Sequence, residues 1–79
     1  MSNNEKLIQS FAETLQIEPA RVTDDLSYNA IAEWDSVGHM ALIAALEEAF
    51  GVMLDTDDII DLSSVSQARS SLAKYDVVF

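Results

Sequence analysis

An all-α fold, a small four-helix bundle, is predicted by two features of this 79-residue chain. It holds only two glycines and one proline, too few for the frequent turns of a strand-rich fold. Its apolar residues recur at helical spacing in three long stretches and one short one. It contains no cysteine, so neither a disulfide framework nor a thiolate metal site can stand in for a hydrophobic core. A chain of this length makes one domain, residues 1–79. A core of that size supplies only about 3–5 kcal/mol of net stability, which leaves little room for a deep, walled active site.

The first helix is expected over residues 4–16. Leu7, Ile8, Phe11 and Leu15 share one stripe, with Glu5, Lys6, Gln9 and Glu13 on the other face. Pro19, just beyond, is a suitable stop. Residues 17–35 carry no helical period, and a structureless loop of that length is uncommon inside a compact domain. The spaced apolar residues Val22, Leu26, Ile31 and Trp34 are therefore taken as anchors of a long ordered loop between the first two helices. A short helical turn is expected near residues 24–26.

The longest helix is expected over residues 36–50. Leu42, Ile43, Leu46 and Phe50 form its core stripe, and Ala41, Ala44, Ala45 and Ala49 raise its propensity. Asp35 is a good N-cap. Gly51 suits the left-handed position after the last turn, from which Val52 can pack back on Leu46. A short helix follows, with Thr56 as cap and residues 57–61 as body, its acids favoured by the helix dipole. The last helix opens with a capping box from Ser64 to Gln67 and continues through Val65, Ala68, Leu72 and Tyr75. Residues 76–79 should fray, with Val78 or Phe79 docking.

Charge narrows the partners. Four Lys and Arg stand against 14 Asp and Glu, a net charge of −10. A nucleic-acid backbone or an anionic membrane surface would be repelled. A basic protein surface would be attracted, less so as salt rises. The 49% hydrophobic share is too high for a disordered acidic tail. The opening MSNNEKLIQS shows no basic segment followed by an apolar one, and no apolar run reaches the length of a membrane span. The expectation is a cytoplasmic monomer with no membrane insertion and no nucleic-acid partner.

The stretch that can carry chemistry is Glu33-Trp34-Asp35-Ser36-Val37. Ser36 falls in the first turn of the longest helix, its hydroxyl beside unpaired backbone amides and the positive dipole end. A phosphate ester there would be stabilised. Taken alone, Asp35-Ser36 is better explained as an ordinary helix start. The surroundings change that weighting. Asp35-Ser36-Val37, then Ala45-Leu46-Glu47-Glu48-Ala49-Phe50-Gly51-Val52, then Leu62-Ser63-Ser64-Val65, resembles the acyl carrier protein family. The small size, the acidity and the long first loop agree.

The resemblance implies a four-helix bundle whose third helix is short. It implies that Ser36 receives 4′-phosphopantetheine from coenzyme A through a phosphopantetheinyl transferase, and that the terminal thiol of the arm holds acyl groups as thioesters. Asp35 matches the acid before the modified serine, where it helps recognition by the transferase while capping the helix. Such a chain is a substrate of other enzymes and not itself an enzyme. The absence of cysteine fits, since any thioester must then use a borrowed thiol. The second apolar face of the long helix, Val37, Met40, Ala41 and Ala44, is expected to be partly exposed. Val37, Met40 and Ala44, with Glu47 and Glu48 farther along, are the candidate partner contacts; Met suits a surface that must fit several partners. For either glutamate alone, plain solvation is the simpler account.

The familiar fatty-acid carrier has more acids along this helix. Here Gly38, His39 and Ala41 occupy those positions, which speaks against enzymes of primary fatty-acid synthesis as partners; Trp34 before the motif, with Gly38 and His39 after it, resembles discrete carriers of specialised pathways: polyketide, nonribosomal-peptide or surface-polysaccharide assembly. A small acidic adaptor or inhibitor with a carrier-like fold and no cargo is the alternative. A hydrolase using Ser36 and His39 lacks an oxyanion hole and a pocket, so His39 is expected to be a half-buried structural residue. The run Asp55, Asp57, Asp58, Asp61 lacks the glycine and oxygen ligands of a calcium loop. It is expected to be a solvated helix start, and no metal site is expected.

Overall fold

The computed structural model describes residues 2–79. The helices are α1 (Asn3–Leu15), α2 (Ser36–Phe50), α3 (Thr56–Asp61) and α4 (Val65–Ala73), with a 3₁₀ turn at Pro19–Arg21 in the first loop. Among the described residues there is no named strand, only an isolated antiparallel bridge between Ser27 and Ser64. The small helical bundle expected from the sequence is the fold.

Helix α1 starts one residue earlier than its apolar stripe requires, because Ser2 and Glu5 form a full capping box. The Ser2 hydroxyl, and then its amide, hold the Glu5 carboxyl below its usual range. The helix ends at Gln16 in the left-handed conformation, before Pro19 is reached. Pro19 instead opens the 3₁₀ turn, a position where its missing N–H costs nothing. The helical turn expected near residues 24–26 thus lies earlier in the loop. At Leu26 the chain makes only a tight turn, with Leu26 N donating to Thr23 O at 3.0 Å.

Leu7, Phe11 and Leu15 of α1 pack with Leu42, Ile43 and Leu46 of α2, Leu54 and Leu62 of the connections, and Val65, Ala68 and Leu72 of α4. Val22, Leu26 and Trp34 of the long loop are buried in the same core, with Ile31 packed against its edge. Backbone bonds hold this loop to the start of α4. Tyr28 N donates to Ser63 O at 2.8 Å and Val65 N to Leu26 O at 3.0 Å. Its last turn closes with Asn29 N donating to Trp34 O at 3.0 Å.

Helix α2 begins and ends as expected, capped by Asp35 and closed by Gly51 in the left-handed conformation. Helix α3 is capped by Asp55 and not by Thr56; both residue types cap well, and Thr56 forms the first helical turn. Of the box expected at α4, the Ser64 arm forms, its hydroxyl accepting from Gln67 N at 3.0 Å. At the C-terminus Val78 stays exposed. Phe79 lies against Phe50 with ring centroids 6.0 Å apart and under the Arg69 guanidinium. Val77 packs against the core.

The acid run before α4 is not simply solvated. Asp55 caps α3, and Asp58 is 2% exposed. The Asp58 carboxylate accepts from Lys74 Nζ and from the Tyr75 hydroxyl. Those two bonds, Lys74 first, hold the Asp58 carboxyl below its usual range; the same carboxylate raises Lys74 and Tyr75. The short helix is thereby fastened to the end of α4.

Candidate functional site

The site is the mouth of α2. Asp35, in extended conformation, accepts a hydrogen bond from Gly38 N at 2.8 Å through Oδ1. That bond starts the helix and leaves Ser36 on the solvent side, exposed. The Ser36 hydroxyl lies 3.0 Å from the Tyr28 hydroxyl. Sequence spacing did not signal this partner, since Tyr28 reaches the serine from within the long loop, eight residues before it.

Beneath the serine is an aromatic cluster. Trp34 is fully buried and meets Phe11 edge-on at 5.4 Å between centroids. The Trp34 indole N–H donates to His39 Nδ1 at 3.1 Å, and the two rings stack, 17° from parallel. With Nδ1 accepting, His39 carries its proton on Nε2 and donates it to Ile59 O at 2.9 Å. Tyr28 stands edge-on to both rings, its centroid 5.5 Å from His39 and 6.4 Å from Trp34. His39 is half-buried, as expected, and ties α2 to α3. Both its nitrogens are occupied, so it offers no base to Ser36, and the hydrolase arrangement does not form.

Gly38 has a definite steric role. A Cβ at this position would come within 2.3 Å of the Glu33 carbonyl oxygen and 3.4 Å of Leu15 Cδ2. The missing side chain lets the returning loop and the end of α1 close over the first turn of α2. The departures at Gly38 and His39 from the acid-rich pattern thus have structural work to do.

An open apolar cleft of about 340 Å³ lies beside the serine, lined by Tyr28, Ser36, His39, Met40, Ile59, Ile60, Leu62 and Ser63. Val37 and Met40 are 78% and 59% exposed, and Ala41 and Ala44 are exposed with them. Ile60, which sequence analysis did not single out, is also exposed and joins Met40 at the cleft. Glu48 is exposed. Glu47 is half-buried, and its Oε2 accepts from Leu54 N at 2.9 Å, so this glutamate steers the chain after α2. Lys6, Arg69 and Lys74 are all engaged elsewhere, on Ala49 O, Asp24 and Asp58 respectively. None of them lines the cleft.

The fold and the site define a small helical bundle with an exposed serine at the mouth of its longest helix. The family described as "Phosphopantetheine attachment site" matches residues 5–68. Acyl carrier proteins are similar over most of the chain. The one from Renibacterium salmoninarum is 30% identical over 92% of this chain and 95% of its own length. That from Arthrobacter sp. is 29% identical over the same shares. That from Lactobacillus johnsonii is 29% identical over 80% of this chain and 79% of its own. The chain belongs to the acyl carrier protein family, whose cofactor is covalently attached 4′-phosphopantetheine.

The accessible Ser36 hydroxyl stands beside a helix N-terminus, the Tyr28 phenol lies within hydrogen-bond reach, and Oδ1 of the neighbouring Asp35 accepts from Gly38 N. Membership implies exchange with a phosphopantetheinyl transferase and with pathway enzymes. No helix is long and apolar enough to cross a membrane among the described residues.

Proposed function

We propose that Ser36 is the attachment residue and that residues 1–79 work as one carrier domain in the cytoplasm, itself the substrate of other enzymes and not a catalyst. The observation that carries this is the exposed Ser36 hydroxyl at the start of the longest helix. In loading, Ser36 Oγ attacks the phosphorus of coenzyme A that bears the pantetheine. An Oγ–P bond forms, the P–O bond to 3′,5′-adenosine diphosphate breaks, and the serine proton leaves to a base of the transferase. The arm's thiol then supplies the thioester linkage this cysteine-free chain lacks.

The rest of the site supports docking. Val37, Met40 and Ala44, with Ile60 beside them, offer an apolar surface around the serine, and Glu48 adds charge along α2. A net charge of −10 draws basic enzyme surfaces together quickly while leaving contacts short-lived, as suits a shuttle between enzymes. Asp35 serves transferase recognition in addition to its capping bond. The replacement of acids by Gly38 and His39 favours enzymes of a specialised pathway over those of primary fatty-acid synthesis.

Intact mass after incubation with coenzyme A and a broad-specificity transferase tests the assignment. One phosphopantetheine should be gained by the native chain and none by Ser36→Ala, which should stay folded because Asp35 does the capping. A folded native chain that gains nothing would instead be a cargo-free acidic adaptor.

A further inference from the structure

We propose that Tyr28 is the positioning residue of this site: its hydroxyl holds Ser36 Oγ in place for loading, and afterwards donates to the phosphodiester. This rests on Ser36 being the attachment residue.

The bond itself is 3.0 Å between the two hydroxyl oxygens. A phenol is the stronger hydrogen-bond donor and an aliphatic hydroxyl the stronger acceptor, so Tyr28 donates and Ser36 accepts. The serine's own O–H is then free to point outward, where an incoming base can take its proton. A serine on an exposed first turn otherwise samples its rotamers freely. Here one of them is selected before any enzyme arrives, and preset geometry of a nucleophile is worth a large rate factor.

The phenol can do this because it is itself held. Its ring is fixed edge-on by His39 and Trp34. Those two are stacked and bonded to one another, and His39 is bonded to Ile59 O. Tyrosine brings only two rotatable side-chain bonds, so little freedom remains at the hydroxyl.

After loading, Oγ is an ester oxygen without a proton, and only Tyr28 can donate across this gap. The ester adds a negative charge to a chain already at −10. No Lys or Arg lines the adjoining cleft, so a neutral donor takes the place a cation would fill. Charge-assisted bonds of this type are shorter and stronger than neutral ones.

The test is Tyr28→Phe, which keeps the ring and removes the oxygen. With coenzyme A and a broad-specificity transferase, kcat should fall about three- to tenfold, the worth of one hydrogen bond. The KM for the carrier should stay within about twofold, because the variant retains the apolar docking surface. In the loaded protein, the phosphorus-31 resonance of Tyr28→Phe should be displaced from that of the native chain. Unchanged kcat, a change confined to KM, or an unmoved phosphorus resonance each overturns the proposal while leaving a loadable native chain as a carrier. A native chain that cannot be loaded removes the carrier assignment as well. If Tyr28→Phe does not fold, the bond is read from its other end: Ser36→Ala should shift the Tyr28 Cζ carbon resonance, and an unmoved resonance overturns the proposal.

Discussion

Replacing Gly38 by alanine sets two effects of opposite sign against each other. Gly38 lies inside the first turn of α2, where alanine is preferred by about 0.8–1 kcal/mol in an exposed helix. Propensity alone therefore predicts stabilisation. The new Cβ, however, would sit 2.3 Å from the Glu33 carbonyl oxygen, about 1 Å inside normal carbon–oxygen contact. That oxygen is backbone and cannot swing aside like the end of a long side chain. The segment that must move carries Trp34, which is fully buried and bonded to His39. Such overpacking costs about 1–3 kcal/mol, and fixation of the loop by Trp34 places it in the upper part of that range. The net expectation is a loss of about 1–2 kcal/mol, or roughly 5–15 °C in Tm for a domain of this size. Thermal unfolding by circular dichroism measures it directly. An unchanged or raised Tm would refute the close-packing argument and show that the loop yields freely. The amide resonances of Tyr28 and His39 should move in the variant, since both rings lean on Trp34.

Two further outcomes follow from particular contacts, and a third from the net charge. Trp34→Phe removes the donor to His39 Nδ1 and leaves that half-buried nitrogen unpaired, costing about 1–2 kcal/mol; combined with His39→Ala the losses should not add, and strict additivity in urea unfolding would deny the coupling. Because Asp58 is held below its usual range by Lys74 and Tyr75, its contribution to stability is complete above the ordinary carboxylate range and is lost as pH falls through its lowered value. Tm measured against pH should therefore drop more steeply on the acid side for the native chain than for Asp58→Asn, and parallel curves would speak against the network. With a net charge of −10, Tm near neutral pH should rise as sodium or magnesium chloride is added; a flat response would mean that self-repulsion is negligible.

What could be recognised in the sequence was whatever its determinants lie near. Helix α2 spans Ser36–Phe50 as expected, because Asp35 and Gly51 mark its ends and the apolar stripe lies between them. The anchors of the long loop were visible as apolar residues in a polar stretch. Its path was not, because backbone bonds to Ser63, Val65 and Ser66 at the start of α4 set it. The α3 cap was misplaced by one residue because Asp55 and Thr56 are adjacent and both capable. Burial of Asp58 gave no local sign, since the residues that satisfy it, Lys74 and Tyr75, lie 16 and 17 positions on. At the serine, the helix start was readable and the Tyr28 contact was not. The nearest sign was the concentration of Tyr28, Trp34 and His39 around the motif, which composition records without saying that the rings meet.

The distinction between the helix start and what surrounds it bears on how a carrier site has to be built. On the proposed assignment, Ser36 must be open to several unlike enzymes and also fixed well enough to react. Those demands conflict, because exposed side chains at element ends are ordinarily the mobile ones. The molecule separates them. Openness comes from local sequence: Asp35 caps the helix, and Ser36 follows it on the solvent side. Fixity comes from below, through Trp34 in the core, His39 bridging to α3 and Tyr28 reaching back to the serine. Gly38 lets the two parts meet by admitting the Glu33 carbonyl at a distance no side chain would allow. Substitutions beneath the serine should therefore reduce the order of the site before they reduce its accessibility. Changes at Val37 or Met40, which lie outside the aromatic cluster, should alter partner choice with little effect on that order.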